Sequence, residues 1–151
     1  MLTAEDRFAI YELIGLYGYI VDERQMTRLD EVFTEDVVYD VTSFGSGVVR
    51  GVEGVRAMWT NPETRHPVSH NMCNIMVHET PEGEVRAICK GLGLGRKGRV
   101  GGVTYYDRMQ RTPRGWRIAE RICVRRDPDG PYDPTMFAKY FPPGFATPSV
   151  A

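Results

Sequence analysis

Apolar residues recur at three- and four-residue intervals from Ile10 through Leu13, Ile14, Tyr17, Ile20 and Val21, the period of one face of an α-helix. Thr3 ahead of them can accept from the first unpaired N–H groups, and Glu5 and Asp6 put negative charge at the positive end of the dipole. The pattern predicts an amphipathic helix over residues 3–22. Its apolar stripe closes on Asp22, a carboxylate on the face that the other positions mark as buried.

A shorter helix is predicted over residues 26–33, then a turn at 34–36, and short strands at 37–41 and 48–49 separated by the turn-forming residues 43–47. Residues 51–59 read as a third helix that stops before Pro62. From His66 the chain becomes β-rich, with strands expected over 66–80, 84–94, 99–112 and 116–126 and turns at 81–83, 95–98 and 113–115. Helices first and a meandering antiparallel sheet afterwards describe an α+β domain in which the helices cover one face of the sheet. The domain is expected to occupy residues 1–127. Beyond it, 128–151 form a proline-rich tail whose aromatics Tyr132, Phe137, Tyr140, Phe141 and Phe145 suit packing on the domain or on a neighbouring subunit.

Charge narrows the partners. With 19 Lys and Arg against 20 Asp and Glu, the 151-residue chain has no net field to attract nucleic acid or an anionic membrane. No leader-like start or long apolar run is present, so a soluble cytoplasmic protein is expected. Cys73, Cys89 and Cys123 are odd in number and far apart, which reads as buried thiols in a reducing compartment, not disulfides or a metal site. Residues 93–98 fit GxGxxG formally, but they lead into a strand, so no helix N-terminus is there to meet a phosphate.

The candidate chemistry centres on Asp22 and His70. Imidazole titrates at about 6.5, and a carboxylate that orients it and supports its charge makes a general base. Alternation along a strand puts His70, Met72, Asn74 and Met76 on one face. Arg121 and Arg125, four apart on another strand, share a face too, and burying them requires a carboxylate or an anionic intermediate. Tyr17 offers a phenol on the first helix. Tyr39, Trp59, Met72, Asn74, Tyr105 and the tail residue Phe137 are the candidates to line a substrate pocket.

Residues 9–17 (AIYELIGLY), 21–25 (VDERQ), 37–40 (VVYD), His70 with Asn74, 101–107 (GGVTYYD) and 115–118 (GWRI) together resemble the scytalone dehydratase and SnoaL-like branch of the nuclear transport factor 2 (NTF2)-like superfamily. The resemblance implies a cone-shaped α+β barrel with an apolar interior for a small hydrophobic molecule, commonly in a homodimer or homotrimer. In the hexachlorocyclohexane dehydrochlorinases of this group the dyad lies in similar runs, which carries it onto Asp22 and His70. Their catalytic arginine follows the strand tryptophan by five, matched by Arg121 after Trp116. The bile acid 7α-dehydratases imply Tyr17, five before the Asp, and Arg125, nine after the tryptophan.

The expected activity is that of a cofactor-independent lyase, a dehydratase acting on a cyclic polyketide-, steroid- or terpenoid-like substrate, with no metal. A ketosteroid-type isomerase or cyclase would use the same dyad. A hydrophobic-ligand-binding or scaffold module, or the small subunit of a ring-hydroxylating dioxygenase, would use the fold without the chemistry.

Overall fold

The computed structural model describes residues 1–64, 66–127, 129–130 and 134–142. Helix α1 spans Ala4–Asp22 and starts in a capping box, in which Asp6 N–H donates to Thr3 Oγ1 and Thr3 N–H donates to Asp6 Oδ2, both at 3.1 Å. The same Asp6 accepts from Trp116 Nε1–H at 3.1 Å and pairs with Arg111, which ties the start of the helix to the sheet. A 3₁₀ turn, Met26–Glu31, stands where a second α-helix was expected.

Strand β1 (Phe33–Asp40) follows directly, so the turn expected at 34–36 does not form. Those residues lie instead where the β1 ladder loses register, between Phe33 and Val38, and this bowing accounts for their turn-like composition. After β2 (Val48–Arg50) comes α2 (Val52–Thr60). Four long strands complete the sheet, β3 (Ser69–Glu79), β4 (Val85–Leu94), β5 (Val100–Thr112) and β6 (Gly115–Arg126).

The order is β2-β1-β6-β5-β4-β3, antiparallel throughout except where β1 runs parallel to β6. This is the α+β architecture expected, a helix laid on a six-stranded, mainly antiparallel sheet. The α1 residues Ile10, Ile14, Tyr17 and Val21 are fully buried against an inner face that includes Val77, Ala87, Cys89, Tyr105 and Ile118. Among the described residues no helix is long and apolar enough to cross a membrane.

Two glycines permit close approach, one between helix and sheet and one between neighbouring strands. A Cβ on Gly18 would lie 3.0 Å from the His70 carbonyl oxygen, so the last turns of α1 sit directly on β3. On β4, a Cβ on Gly91 would fall 2.5 Å from Tyr105 and 2.7 Å from Val103. Gly91→Ala should therefore lower stability by about 1–3 kcal/mol through overpacking, read as a lower urea midpoint; an unchanged midpoint would show that Tyr105 has room to move.

Proline does not keep the tail irregular throughout, because α3 (Thr135–Tyr140) forms between Pro134 and Pro142. It docks on the outer face, away from α1, where Tyr140 and Phe141 pack with Ile88 and Tyr106. Arg86 donates to Lys139 O at 2.7 Å and lies over the Tyr140 ring. Tyr132 and Phe145 lie outside the described residues. Of the three cysteines, Cys89 and Cys123 are buried as expected but Cys73 is exposed, because it sits on the outward side of β3 just before a bulge.

Candidate active site

Asp22 closes the buried stripe of α1, and His70 is the second residue of β3, directly beneath the helix end. The Asp22 carboxylate accepts two hydrogen bonds from His70, from ring Nδ1 at 2.6 Å and from the main-chain N–H at 2.7 Å. A carboxylate can only accept, so Nδ1 carries the hydrogen, and in the neutral ring Nε2 keeps its lone pair. Held at two points, the ring has its orientation and tautomer fixed together. The side chains are 7% (His70) and 16% (Asp22) exposed, a pair largely withdrawn from water.

Aromatic rings frame this pair. Trp59 meets the His70 ring edge-on at 5.5 Å and Tyr17 does so at 6.4 Å. The Tyr17 and Tyr39 hydroxyls are 2.7 Å apart, and burial pushes both phenols well above their usual titration range, so both stay neutral. The two neutral hydroxyls share one hydrogen bond, and Cys123 stands beside Tyr39 as a partner for the other O–H. Met72 is half-buried beside Gly18, on the dyad side of β3.

Arg121 lies fully buried between the Tyr17 and Tyr105 rings, 4.2 and 4.5 Å from their centroids. Its Nε and Nη2 donate to the two oxygens of Asp107 at 2.8 and 2.7 Å, while Nη1 has no partner among the described residues. Desolvation opposes its charge, and Asp107 more than offsets this, holding the guanidinium ionised. The carboxylate that a buried arginine requires is thus internal. Sequence reasoning missed Asp107, which faces Arg121 across the β5–β6 pair.

Three expected site residues lie elsewhere. A β-bulge between Cys73 and Met76 puts Asn74 in a left-handed conformation, φ 51°, and the alternation reverses there. Asn74 is exposed, and Ile75 and Val77 turn inward in place of Asn74 and Met76. Arg125 follows Arg121 by two pleats but is exposed near the end of β6. Phe137 belongs to α3 on the outer face, with the sheet between it and the dyad.

A cleft of about 330 Å³ opens on the Trp59 side, bordered by Arg24, Trp59, Asn61 and His66 among others. Trp59 stacks on His66 with centroids 4.0 Å apart, and its buried Nε1–H has no partner among the described residues. Neither Arg24 nor His66 was singled out from the sequence. The VDERQ run contains Arg24, and that is the signal available for it. Among the described residues no three His, Cys, Asp or Glu side chains cluster as a metal site would require.

An α1 helix laid over a six-stranded, mainly antiparallel sheet is the NTF2-like fold, which this chain shares with solved NTF2-like structures. The SnoaL-like domain family matches residues 2–122, and the chain belongs to that family. The uncharacterized protein Rv2910c of Mycobacterium tuberculosis is 30% identical over 127 residues, covering 78% of this chain and 83% of that protein. A solved structure from Novosphingobium aromaticivorans, named as a candidate aromatic ring hydroxylase, is 29% identical with a TM-score of 0.66, over 85% of this chain and 94% of that one. The LinA-type3 hexachlorocyclohexane dehydrochlorinase of Novosphingobium barchaimii shares the fold at 21% identity and TM-score 0.65, over 83% and 92% of the two chains. Some structural relatives of this chain are therefore enzymes.

Proposed function

We propose that the protein is a cofactor-independent lyase of dehydratase type, in which His70 Nε2 removes a proton from carbon. The bidentate grip of Asp22 on His70 carries this reading, since it leaves a lone pair on Nε2 and a carboxylate to support the imidazolium once the proton arrives. As the C–H bond breaks, its electrons form the new C=C bond and the hydroxyl on the adjacent carbon departs. Tyr17, neutral and edge-on to His70, supplies the proton with which that hydroxyl leaves as water. Return of the proton from the imidazolium to the phenolate then restores both resting forms.

Arg121 holds Tyr17 from the far side and places positive charge against its phenol, which stabilises the developing phenolate. Arg125 has no part in this scheme, because it stands in solvent. The dehydrochlorinase among the structural relatives supports elimination as the outcome. Isomerisation would share the first step and differ only in where the proton returns.

The test is turnover on a panel of cyclic β-hydroxy ketones by wild type and His70→Ala. The variant should lose about 10²–10⁴ in rate while keeping its circular dichroism spectrum. Equal turnover by the two would exclude His70 as the base. A panel on which neither is active, with ligands still bound, favours the non-catalytic binding module.

A further inference from the structure

Arg24 stands two residues beyond the dyad aspartate, where the chain leaves α1 with φ 56°, and it borders the cleft on the Trp59 side of His70. Arg24 is exposed, and its guanidinium makes no ion pair or hydrogen bond among the described residues. Trp59 borders the same cleft and is 6% exposed, yet its Nε1–H has no acceptor among the described residues. Burying such a donor unpaired is unfavourable, a cost that a ligand oxygen at that position would remove. A free cation and an unused buried donor thus border one opening next to the base.

We propose that this cleft is a carboxylate subsite, and that the substrate is a cyclic acid whose carboxylate meets Arg24 and the Trp59 N–H while a carbon of its ring is presented to His70. The last clause rests on the lyase reading; the subsite itself does not. Three observations select a carboxylate. The ring of His66, stacked on Trp59, has its titration range lowered by burial and by the neighbouring Arg24 charge, which favours its neutral form and leaves Arg24 as the only side-chain cation among the described residues bordering the cleft. One cation balances a monoanion and leaves a phosphate dianion half-compensated. The two donors also match the two oxygens of a carboxylate, and the Trp59 ring, 5.5 Å from His70, gives the carbon frame an apolar surface between them.

Binding of 2-naphthoate, 2-naphthamide and 2-naphthyl phosphate, followed by calorimetry, tests this without any turnover. Naphthoate should bind at least about tenfold more tightly than the amide, and Arg24→Gln should remove that preference. Trp59→Phe, which keeps an aromatic ring and loses the N–H, should weaken naphthoate. Equal affinity for acid and amide, or an acid preference that survives Arg24→Gln, overturns the subsite and leaves the dyad reading standing. Tighter binding of the phosphate than of the acid overturns the carboxylate assignment. An Arg24-dependent acid preference in a protein inactive on every cyclic hydroxy acid tried would uphold the subsite and count against the lyase instead.

Discussion

Asp107→Ala is expected to destabilise the protein by about 3–5 kcal/mol, the largest loss among the substitutions considered, because it leaves the Arg121 guanidinium charged and without a counter-ion in a fully buried position. The pair spans neighbouring strands, with both of its hydrogen bonds inside the aromatic layer beneath α1. Arg121→Met should cost a comparable amount for the mirror reason, a buried carboxylate with nothing to meet. Replacing both, as Asp107→Leu with Arg121→Met, should recover much of the loss, since a buried ion pair contributes little net stability against apolar residues of similar volume. Urea denaturation of the three variants checks this. Losses that simply add in the double variant would mean that the pair does not act as a unit.

Asp22→Asn is expected to lower turnover by about 10²–10⁴ with little change in fold. The amide oxygen can still accept the His70 main-chain N–H now held at 2.7 Å, so the helix end stays docked. The amide NH₂ then faces ring Nδ1, where the carboxylate oxygen stood at 2.6 Å. Two donors cannot share that contact, so the ring adopts the tautomer with hydrogen on Nε2 and loses the lone pair that would take the substrate proton. Turnover equal to wild type would show that orientation by Asp22 is not needed.

Much of this was readable in the sequence because it rests on local periodicity. The helical stripe from Ile10 to Val21 and the capping residue Thr3 marked α1 to within a residue, and the turn residues between β-rich runs marked the hairpins. Asp22 stood out for closing an apolar stripe and His70 for projecting among thioethers, and the structure brings these two together.

What was not readable depends on bulges. Counting back from the tight turn between Thr112 and Gly115 pairs Asp107 with Glu120, and only the extra residue at Ala119 shifts Asp107 opposite Arg121. The bulge at Asn74 likewise reverses strict alternation and sends a supposed pocket residue into solvent. A bulge leaves no compositional mark that one chain reveals, so register and facing beyond it are lost. Cross-sheet placement was equally hidden. Phe137 reads as an aromatic in search of a surface, and nothing in its neighbours states which face of the sheet receives it.

The most direct test of the account is nitrogen NMR of the protein labelled with ¹⁵N-histidine, at about pH 8, above the ordinary imidazole range. His70 should show a protonated Nδ1 and an unprotonated Nε2, and Asp22→Asn should exchange the two. A wild-type His70 with its hydrogen on Nε2 would contradict the account, because no lone pair would then stand ready to take a proton from substrate.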